Sequence, residues 1–187
     1  MLIIISSPSG TGKTSVCKKI VNFDKKIKLS VSHTTRAPRD NELNGVDYFF
    51  VSNEKFKSKI LDKSFLEYAN VFGNYYGTSK KNVEEMLSDD FDVLFDIDWQ
   101  GASQISNANL AKLITIFLVP PSKDVVLERL ERRSIVTGDN HDAIHRRMLE
   151  YEKEMSHANE YMHIVVNDDI EKCTREVIEI IENERNK

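Results

Sequence analysis

The chain has 187 residues, a length that fits one domain built around one hydrophobic core. Apolar residues make up 40% of it and charged residues 30%, which excludes a disordered tract or a membrane-embedded chain as the best description. The formal net charge of −4 argues against a broad nucleic-acid surface, because such a surface needs an excess of Lys and Arg on one face. Any anionic ligand must therefore meet a local basic cluster.

The cysteines and the first residues favour a cytoplasmic protein. Cys17 and Cys173 are the two cysteines, and they lie far apart without the CxxC spacing of zinc sites. Residues 2–5 form an apolar run that no basic segment precedes and that is too short for a signal peptide or a membrane span. We expect this run to be a buried first strand.

The order of elements predicts an α/β fold. A β-branched run at residues 2–6 is followed by a glycine-containing loop and then by helical spacing at residues 15–21. The other predicted elements are strands at 93–97, 114–119 and 164–166 and helices at 122–132, 142–156 and 170–185. The strand runs lack clean alternation, which is typical of strands covered on both faces. Strands alternating with helices predict a parallel, doubly wound sheet.

Two stretches depart from this alternation of predicted strands and helices. Residues 32–87 contain short aromatic runs that resemble small strands, which predicts a small mixed lobe inserted between two core elements. Residues 133–140 are polar and contain a glycine, and we expect them to form a mobile loop between two arginine-bearing helices.

The strongest motif is a phosphate-binding loop. Residues 7–14 match the pattern GxxxxGK[ST], except that Ser7 stands in place of the first glycine. Glycines let backbone N–H groups turn toward phosphate oxygens, Lys13 reaches the β and γ oxygens, and Thr14 can ligate Mg²⁺. The alternative is a glycine-rich turn with an exposed lysine, but the position between a strand and a helix favours the phosphate-binding loop.

A pair of carboxylates follows the next core strand. Asp96 and Asp98 alternate at its end and so point to the same side, as expected of a Walker B element beside a phosphate-binding loop. One of them can then serve a metal ion. Acidic residues at a solvated strand end are the alternative, and without the preceding loop that alternative would be preferred.

Arginines are concentrated in two regions. Arg36 and Arg39 flank Pro38, close enough in sequence to converge on one phosphate group. A second group surrounds the polar loop and consists of Arg129, Arg132, Arg133, Arg146 and Arg147. These guanidinium groups can stabilise charge on a phosphoryl group in transfer, although some of them must be solvated helix charges.

Five blocks together resemble the guanylate kinase family. They cover residues 31–39 with Glu42, Gly45 and 48–50 behind them, and then 72–78, 94–101, 120–122 and 166–169, in the order that the family has them. The resemblance implies a doubly wound P-loop kinase core with an inserted mixed α/β GMP-binding lobe and a helical lid. It divides the single domain 1–187 into a core (1–31, 88–123 and 151–187), a GMP-binding lobe (32–87) and a lid (124–150).

The resemblance also implies a set of site residues. Those facing ATP are Ser9, Gly10, Thr11, Gly12, Lys13, Thr14, Ser15 and, beside adenine, Asn167. Those holding the GMP phosphate are Arg36, Arg39, Tyr48 and Tyr76, and those facing guanine are Ser32, Glu67, Thr78 and Asp98. The catalytic set is Lys13, Arg36, Arg129, Arg133 and Arg147. Mg²⁺, the implied cofactor, would be served by Thr14 and Asp96.

One departure from the family pattern falls in the implied lid. Members often have Gly-Arg-Gly where this chain has Arg132-Arg133-Ser134, and the loop up to Asn140 is slightly long. The roles implied for the lid residues therefore rest more on their position along the chain than on identity with the family motif.

The implied function is Mg-dependent transfer of the γ-phosphoryl group of ATP to GMP, giving ADP and GDP in purine nucleotide metabolism. No general base is needed, because the GMP phosphate is already ionised near neutral pH. The expected partners are ATP and GMP, with dGMP open as a second acceptor, and no nucleic acid or membrane.

Two alternatives stay open on the sequence alone. One is a P-loop kinase for another small acceptor, which an acceptor panel with ATP and Mg²⁺ would distinguish. The other is a guanylate-kinase-like interaction domain that has lost catalysis and binds phosphopeptides. Retention of Lys13, Thr14 and Asp96 argues against the second alternative.

Overall fold

The computed structural model of the chain describes residues 1–40, 42–108, 111–138 and 140–187, with the backbone alone at position 136. The elements are β1 (Leu2–Ser6), α1 (Lys13–Phe23), β2 (Ile27–Leu29), β3 (His33–Thr34), β4 (Phe49–Phe50), α2 (Asn53–Leu61), β5 (Phe65–Val71), β6 (Asn74–Ser79), α3 (Lys80–Ser88), β7 (Asp92–Asp96), α4 (Trp99–Asn107), β8 (Leu113–Val119), α5 (Lys123–Thr137), α6 (His141–Ser156), β9 (His163–Val166) and α7 (Ile170–Arg185). Across these ranges, no helix is both long enough and apolar enough to cross a membrane.

The larger sheet is parallel throughout and has the strand order β2-β7-β1-β8-β9. Alternation along β1 sends Ile3 and Ile5 into a core with α1 and α7, while Leu2 and Ile4 enter a second core with α3 and α4. Both faces of the sheet are therefore covered by helices. The prediction of a parallel, doubly wound sheet is confirmed.

The register of this sheet aligns the strand ends that carry polar residues. Ile5 of β1 lies opposite Asp96 of β7, and Ser6 lies opposite Phe117 of β8. Parallel strands end at the same edge of a sheet, and the crevice outside that edge is where α/β folds bind ligands. The loop that follows β1 therefore begins beside Asp96.

The smaller sheet is mixed, with the order β4-β3-β6-β5. Strand β3 pairs parallel with β4 and antiparallel with β6, and β5 pairs antiparallel with β6. Phe56 of α2 is fully buried and stacks on Phe65 and Tyr75, with ring centroids 4.5 and 5.3 Å apart. These aromatic contacts hold α2 against the sheet, as the prediction of a mixed lobe requires.

The expectation of a loop over residues 133–140 is wrong for residues 133–137, and residue 139 lies outside the described residues. Helix α5 continues to Thr137, and Gly138 ends it with a left-handed φ of 68°, the conformation that suits a glycine after a helix. Asn140 then caps α6 by accepting from the N–H of Ala143 at 2.9 Å. Residues 134–137 have only modest intrinsic helix propensity, a weak preference that the tertiary context overrides here.

We predict that Ile20→Ala lowers the free energy of unfolding by about 2 to 5 kcal/mol, because it leaves a cavity in a close-packed core. Ile20 is fully buried in α1, where it belongs to the core shared with α7. Phe23→Ala is the control, since Phe23 ends the same helix with 69% of its surface exposed. It should change stability by no more than about 0.5 kcal/mol. Equal losses in urea unfolding would contradict this account of the core.

Candidate active site

The loop between β1 and α1 has the geometry of a phosphate-binding loop. Gly10 and Gly12 have φ values of 88° and 101°, and a Cβ on Gly12 would lie 2.8 Å from the amide nitrogen of Asn167. Helix α1 begins at Lys13, so the N–H groups of its first turn face the loop. The φ of Ser7 is not positive, so a serine at the first glycine position of the motif causes no backbone strain.

Lys13, Thr14 and Asp96 form one polar cluster where the loop meets the sheet edge. The Lys13 ammonium donates to one oxygen of Asp96, and the Thr14 hydroxyl donates to the other at 2.6 Å. Burial by itself would lower the pKa of Lys13, but the Asp96 carboxylate outweighs it and the pKa is raised. The lysine therefore stays cationic at neutral pH.

The same cluster is suited to Mg²⁺. A threonine hydroxyl and a carboxylate are hard oxygen ligands, and Mg²⁺ with a nucleotide takes only one or two protein ligands besides phosphate and water. Within the described ranges, no three His, Cys, Asp or Glu side chains are grouped to hold a metal ion. A magnesium ion at Thr14 and Asp96 would thus depend on phosphate oxygens for its other ligands.

Arg36 and Arg39 lie side by side in the lobe, as their spacing predicts. Glu42 links them: it accepts from the Arg36 guanidinium at 2.8 Å and from the Arg39 backbone N–H at 2.9 Å. The Arg36 guanidinium lies 5.3 Å from the centre of the Tyr48 ring, whose centre is 5.9 Å from that of Tyr76. Burial would lower the pKa of Arg36, yet its bond to Glu42 leaves that pKa raised. This group forms a prearranged cationic site.

Glu67 lies at the inner end of the lobe with 3% of its surface exposed. One carboxylate oxygen accepts from the Thr78 hydroxyl at 2.6 Å, and that hydroxyl lies 3.5 Å from the hydroxyl of Ser32. Burial raises the pKa of Glu67 to about 7, opposed by the bond from Thr78 and assisted by the negative charge of Asp98. Glu67 therefore changes its charge near neutral pH.

Asp98 contributes to this corner as the N-cap of α4. One of its oxygens accepts from the Gly101 N–H at 3.0 Å, and the other accepts from the Gln100 amide at 2.9 Å. An aspartate at an N-cap satisfies an N–H group that the helix leaves unpaired. Capping thus fixes Asp98 near Glu67, at the end of the strand that carries Asp96.

Arg129 and Asn167 both contact the phosphate-binding loop from behind. Arg129 donates to the Thr11 carbonyl at 3.0 Å and to the Asn167 carbonyl at 3.1 Å. The Asn167 amide donates to the same Thr11 carbonyl at 2.7 Å. These bonds tie α5 and the end of β9 to the loop, so both side chains support the loop's shape.

Helix α6 reaches the mouth of the loop through two residues that both contact Ser9. The Arg147 guanidinium donates to the Ser9 hydroxyl at 2.9 Å, and Glu154 accepts from the Ser9 N–H at 3.0 Å. Burial raises the pKa of Glu154, while the Ser9 N–H and Lys13 act against that rise. Arg133, from α5, lines the same opening.

A single cleft of about 740 Å³ joins these groups. All of the predicted site residues line it except Thr11, Thr78 and Asn167, which lie behind the loop or behind Glu67. The loop after β1 offers N–H groups, a lysine and, with Asp96, two metal-suited oxygens, the residues before β4 offer Arg36 and Arg39, and β5 offers a buried carboxylate. The cleft can therefore hold a polyphosphate facing a second phosphate whose attached base enters the lobe.

Comparison with known proteins agrees with this geometry. The family model described as guanylate kinase matches residues 1–184. The chain belongs to the guanylate kinase family. The guanylate kinase of Rickettsia prowazekii is 46% identical over 187 residues, covering 100% of this chain and 93% of that protein. The guanylate kinase of Haemophilus influenzae is 47% identical, covering 98% of this chain and 88% of that protein.

A solved structure supports the same conclusion. The crystal structure of guanylate kinase from Anaplasma phagocytophilum superposes with a TM-score of 0.80 at 33% identity, covering 100% of this chain and 87% of that one. Guanylate kinases transfer the γ-phosphoryl group of ATP to GMP, so the chain is a nucleoside monophosphate kinase. The predictions of family, fold class and enzyme class are confirmed.

Glu42 and Glu154 line the guanylate kinase cleft, and Gly101 lies against Glu67, yet none of these three was among the predicted site residues. Glu154 follows Arg147 by seven residues, two helical turns, so both lie on one face of α6. The seven-residue spacing from Arg147 could therefore have identified Glu154 from the sequence. Gly101 carried no signal of its own, because its importance depends on a side chain in a distant strand.

We predict that the Glu67 carboxyl titrates near pH 7 in the ligand-free protein, because burial and the Asp98 charge oppose ionisation. Carbon-detected NMR of labelled glutamates would measure this pKa. In Asp98→Asn the pKa should fall but stay above the usual glutamate range, since burial persists while a neighbouring negative charge is lost. A Glu67 pKa near 4.5 in the wild type would contradict the burial argument.

Proposed function

We propose that ATP binds with its phosphates in the loop after β1, and that GMP binds with its phosphate at Arg36 and Arg39 and its base at Glu67. The observation that carries this proposal is the cleft itself, which is lined by the Lys13–Asp96 cluster, by the Arg36 and Arg39 pair and by the buried Glu67. These three groups suit two nucleotides that meet phosphate to phosphate.

On the ATP side, residues 9–15 supply N–H groups to the phosphates, and Lys13 neutralises charge on the β and γ oxygens. Thr14 and Asp96 would hold Mg²⁺, which supplies further charge neutralisation on those oxygens. Arg133 and Arg147 face the same phosphates from α5 and α6, while Arg129 keeps the loop in shape. The proposal also places Asn167 beside adenine, which requires that its buried side-chain amide, bonded to the Thr11 carbonyl at 2.7 Å in the ligand-free structure, become accessible.

On the GMP side, Arg36 and Arg39 bind the phosphate with Tyr48 and Tyr76. Burial, with Asp96 nearby, raises the pKa of Tyr48 to about 12, so its hydroxyl stays protonated and donates to phosphate. Glu42 holds both arginines before GMP arrives, which reduces the entropy lost on binding.

Guanine recognition follows from the donors and acceptors of the base. Guanine presents N1–H and the N2 amino group as adjacent donors, and the carboxylate of Glu67 can accept from both. Ser32, Thr78 and Asp98 complete the polar surroundings, with a hydroxyl available to the O6 acceptor. Adenine presents an acceptor at N1, which would face the carboxylate without a proton between them.

The transfer step requires positioning more than proton chemistry. An oxygen of the ionised GMP phosphate attacks the γ phosphorus of ATP, and the bond to the ADP oxygen breaks. Lys13, Arg36, Arg133 and Arg147 stabilise the charge that spreads over the transferring group. Closure of the cleft would exclude water, which otherwise competes as acceptor.

The proposal assigns a core to residues 1–31, 88–123 and 151–187, a GMP-binding lobe to 32–87 and a lid to 124–150. The separate mixed sheet and the contact from Arg147 of the lid to Ser9 of the core support this division, whose boundary after residue 150 falls within α6. We also place the enzyme in the cytoplasm, because the buried thiols of Cys17 and Cys173 are free.

Lys13→Met should lower kcat by about 10² to 10³, because a preorganised cation is lost from the phosphates. Lys19→Met is the matched control, since Lys19 lies on the same helix and pairs with Glu171 at the surface. Coupled assay of ADP release would measure both variants. A folded Lys13→Met protein with the control's kcat would remove this loop from the ATP site.

An acceptor panel with ATP and Mg²⁺ tests the choice of base. GMP should exceed AMP by up to about 10⁴ to 10⁵ in kcat/KM, because the wrong base leaves buried polar groups unpaired. Glu67→Gln should lower kcat/KM for GMP by about 10- to 10²-fold, since one acceptor becomes a donor that faces a donor. The melting temperature should not fall, because an ionised buried carboxylate opposes folding above pH 7.

The pH dependence of kcat/KM for GMP is a second test of the role of Glu67. Glu67 has a pKa of about 7, so wild-type kcat/KM for GMP should fall as the pH drops through 7 and the carboxyl becomes neutral. Glu67→Gln keeps only the titration of the GMP phosphate, whose pKa is about 6. Identical pH profiles for the two proteins would show that Glu67 does not bind the base.

A further inference from the structure

Gly101 occupies the third position of α4 and faces the carboxylate of Glu67 at close range. A Cβ on Gly101 would lie 2.5 Å from Oε2 of Glu67, 3.0 Å from its Cδ and 3.3 Å from a methyl carbon of Ile97. Gly101 is not among the described glycines with positive φ, so its backbone conformation is open to any residue. The position therefore requires glycine for space and not for backbone freedom.

The carboxylate of Glu67 has little room to yield. Ordinary van der Waals contacts begin at 3.4 Å. Oε2 of Glu67, which is 2.5 Å from the position of such a Cβ, would therefore have to move away by about 0.9 Å. Glu67 is 3% exposed, and its other oxygen is held at 2.6 Å by the Thr78 hydroxyl. A Cβ at position 101 would thus rotate or displace the carboxylate against that bond.

Gly101 also contacts the second carboxylate of this corner. Its N–H donates to Asp98 at 3.0 Å, while the missing side chain leaves the space that Glu67 occupies. Gly101 therefore lies between the carboxylates of Asp98 and Glu67 and limits the positions that both can take. Alanine is the strongest helix former, so helix stability alone would favour it here.

We propose that Gly101 is a positioning residue for guanine recognition, which sets where the Glu67 carboxylate presents its oxygens to the base. The inference rests on the guanine role proposed above for Glu67. Two hydrogen bonds from adjacent donors of guanine demand a defined carboxylate orientation, and misplacement by about 1 Å can cost about 10²-fold in rate. The residue acts through Glu67 and does not itself touch the nucleotide.

The test is Gly101→Ala in the full chain, with steady-state kinetics for GMP and ATP and a melting curve. We expect kcat/KM for GMP to fall by about 10²-fold, mainly through KM, while KM for ATP is unchanged. The melting temperature should not rise as it would for an unstrained glycine-to-alanine change in a helix, because the new Cβ must displace the buried Glu67 carboxylate. Ser103→Ala, at an exposed position of the same helix, should leave all three readouts unchanged.

A double-mutant cycle with Glu67→Ala isolates the cause. In that background Gly101→Ala meets no carboxylate, so it should bring no further loss of GMP use. If Gly101→Ala lowers the melting temperature, removal of the Glu67 side chain should restore it. A further loss of GMP use in the Glu67→Ala background, or a drop in stability that Glu67→Ala fails to restore, would overturn the inference.

The same cycle separates this inference from the proposed function. If Glu67→Ala impairs use of GMP but Gly101→Ala does not, Gly101 is not a positioning residue and the guanine site stands. If Glu67→Ala leaves use of GMP at the wild-type level, the proposed guanine site is wrong, and the inference about Gly101 is overturned with it.

Discussion

The parallel register of β1 against β7 is the constraint on which the cleft depends. Pairing Ile5 with Asp96 brings the start of the phosphate-binding loop beside a carboxylate that binds Lys13 and Thr14. A shift of one residue would turn Asp96 toward the opposite face of the sheet, because side chains alternate along a strand. Buried isoleucines on both faces of β1 prevent that shift, so core packing fixes the position of the Lys13 and Asp96 charges.

Charge balance explains why a cleft with several carboxylates can accept two anionic nucleotides. Asp96 is paired with Lys13, Glu42 with Arg36, and Asp98 caps a helix, so each of these negative charges has a local partner. Glu67 has the Thr78 hydroxyl instead, and it responds by holding its proton up to about pH 7. The group that we propose to select the base is therefore the one whose charge is least well compensated.

Patterns local in sequence were sufficient to predict much of this molecule. The strand–loop–helix order around Lys13 predicted the phosphate-binding loop, and uninterrupted apolar runs predicted strands buried on both faces. The burial of Glu67 was not predictable from spacing, because it depends on β6, α4 and Gly101 closing around a single residue of β5. The last turn of α5 was missed because residues 134–137 have modest helix propensity, and a local pattern does not contain the tertiary context that overrides it.

Helix α6 has a mechanical property that follows from its two bonds to Ser9. Arg147 and Glu154 are seven residues apart, which along a helix is about 10 Å. If the helix turns about its end at Glu154 by about 10°, the Glu154 contact survives while the Arg147 end sweeps by about 2 Å. That displacement is enough to break a hydrogen bond of 2.9 Å. A small rotation of α6 about the Glu154 contact would therefore move the Arg147 guanidinium much further than the Glu154 carboxylate.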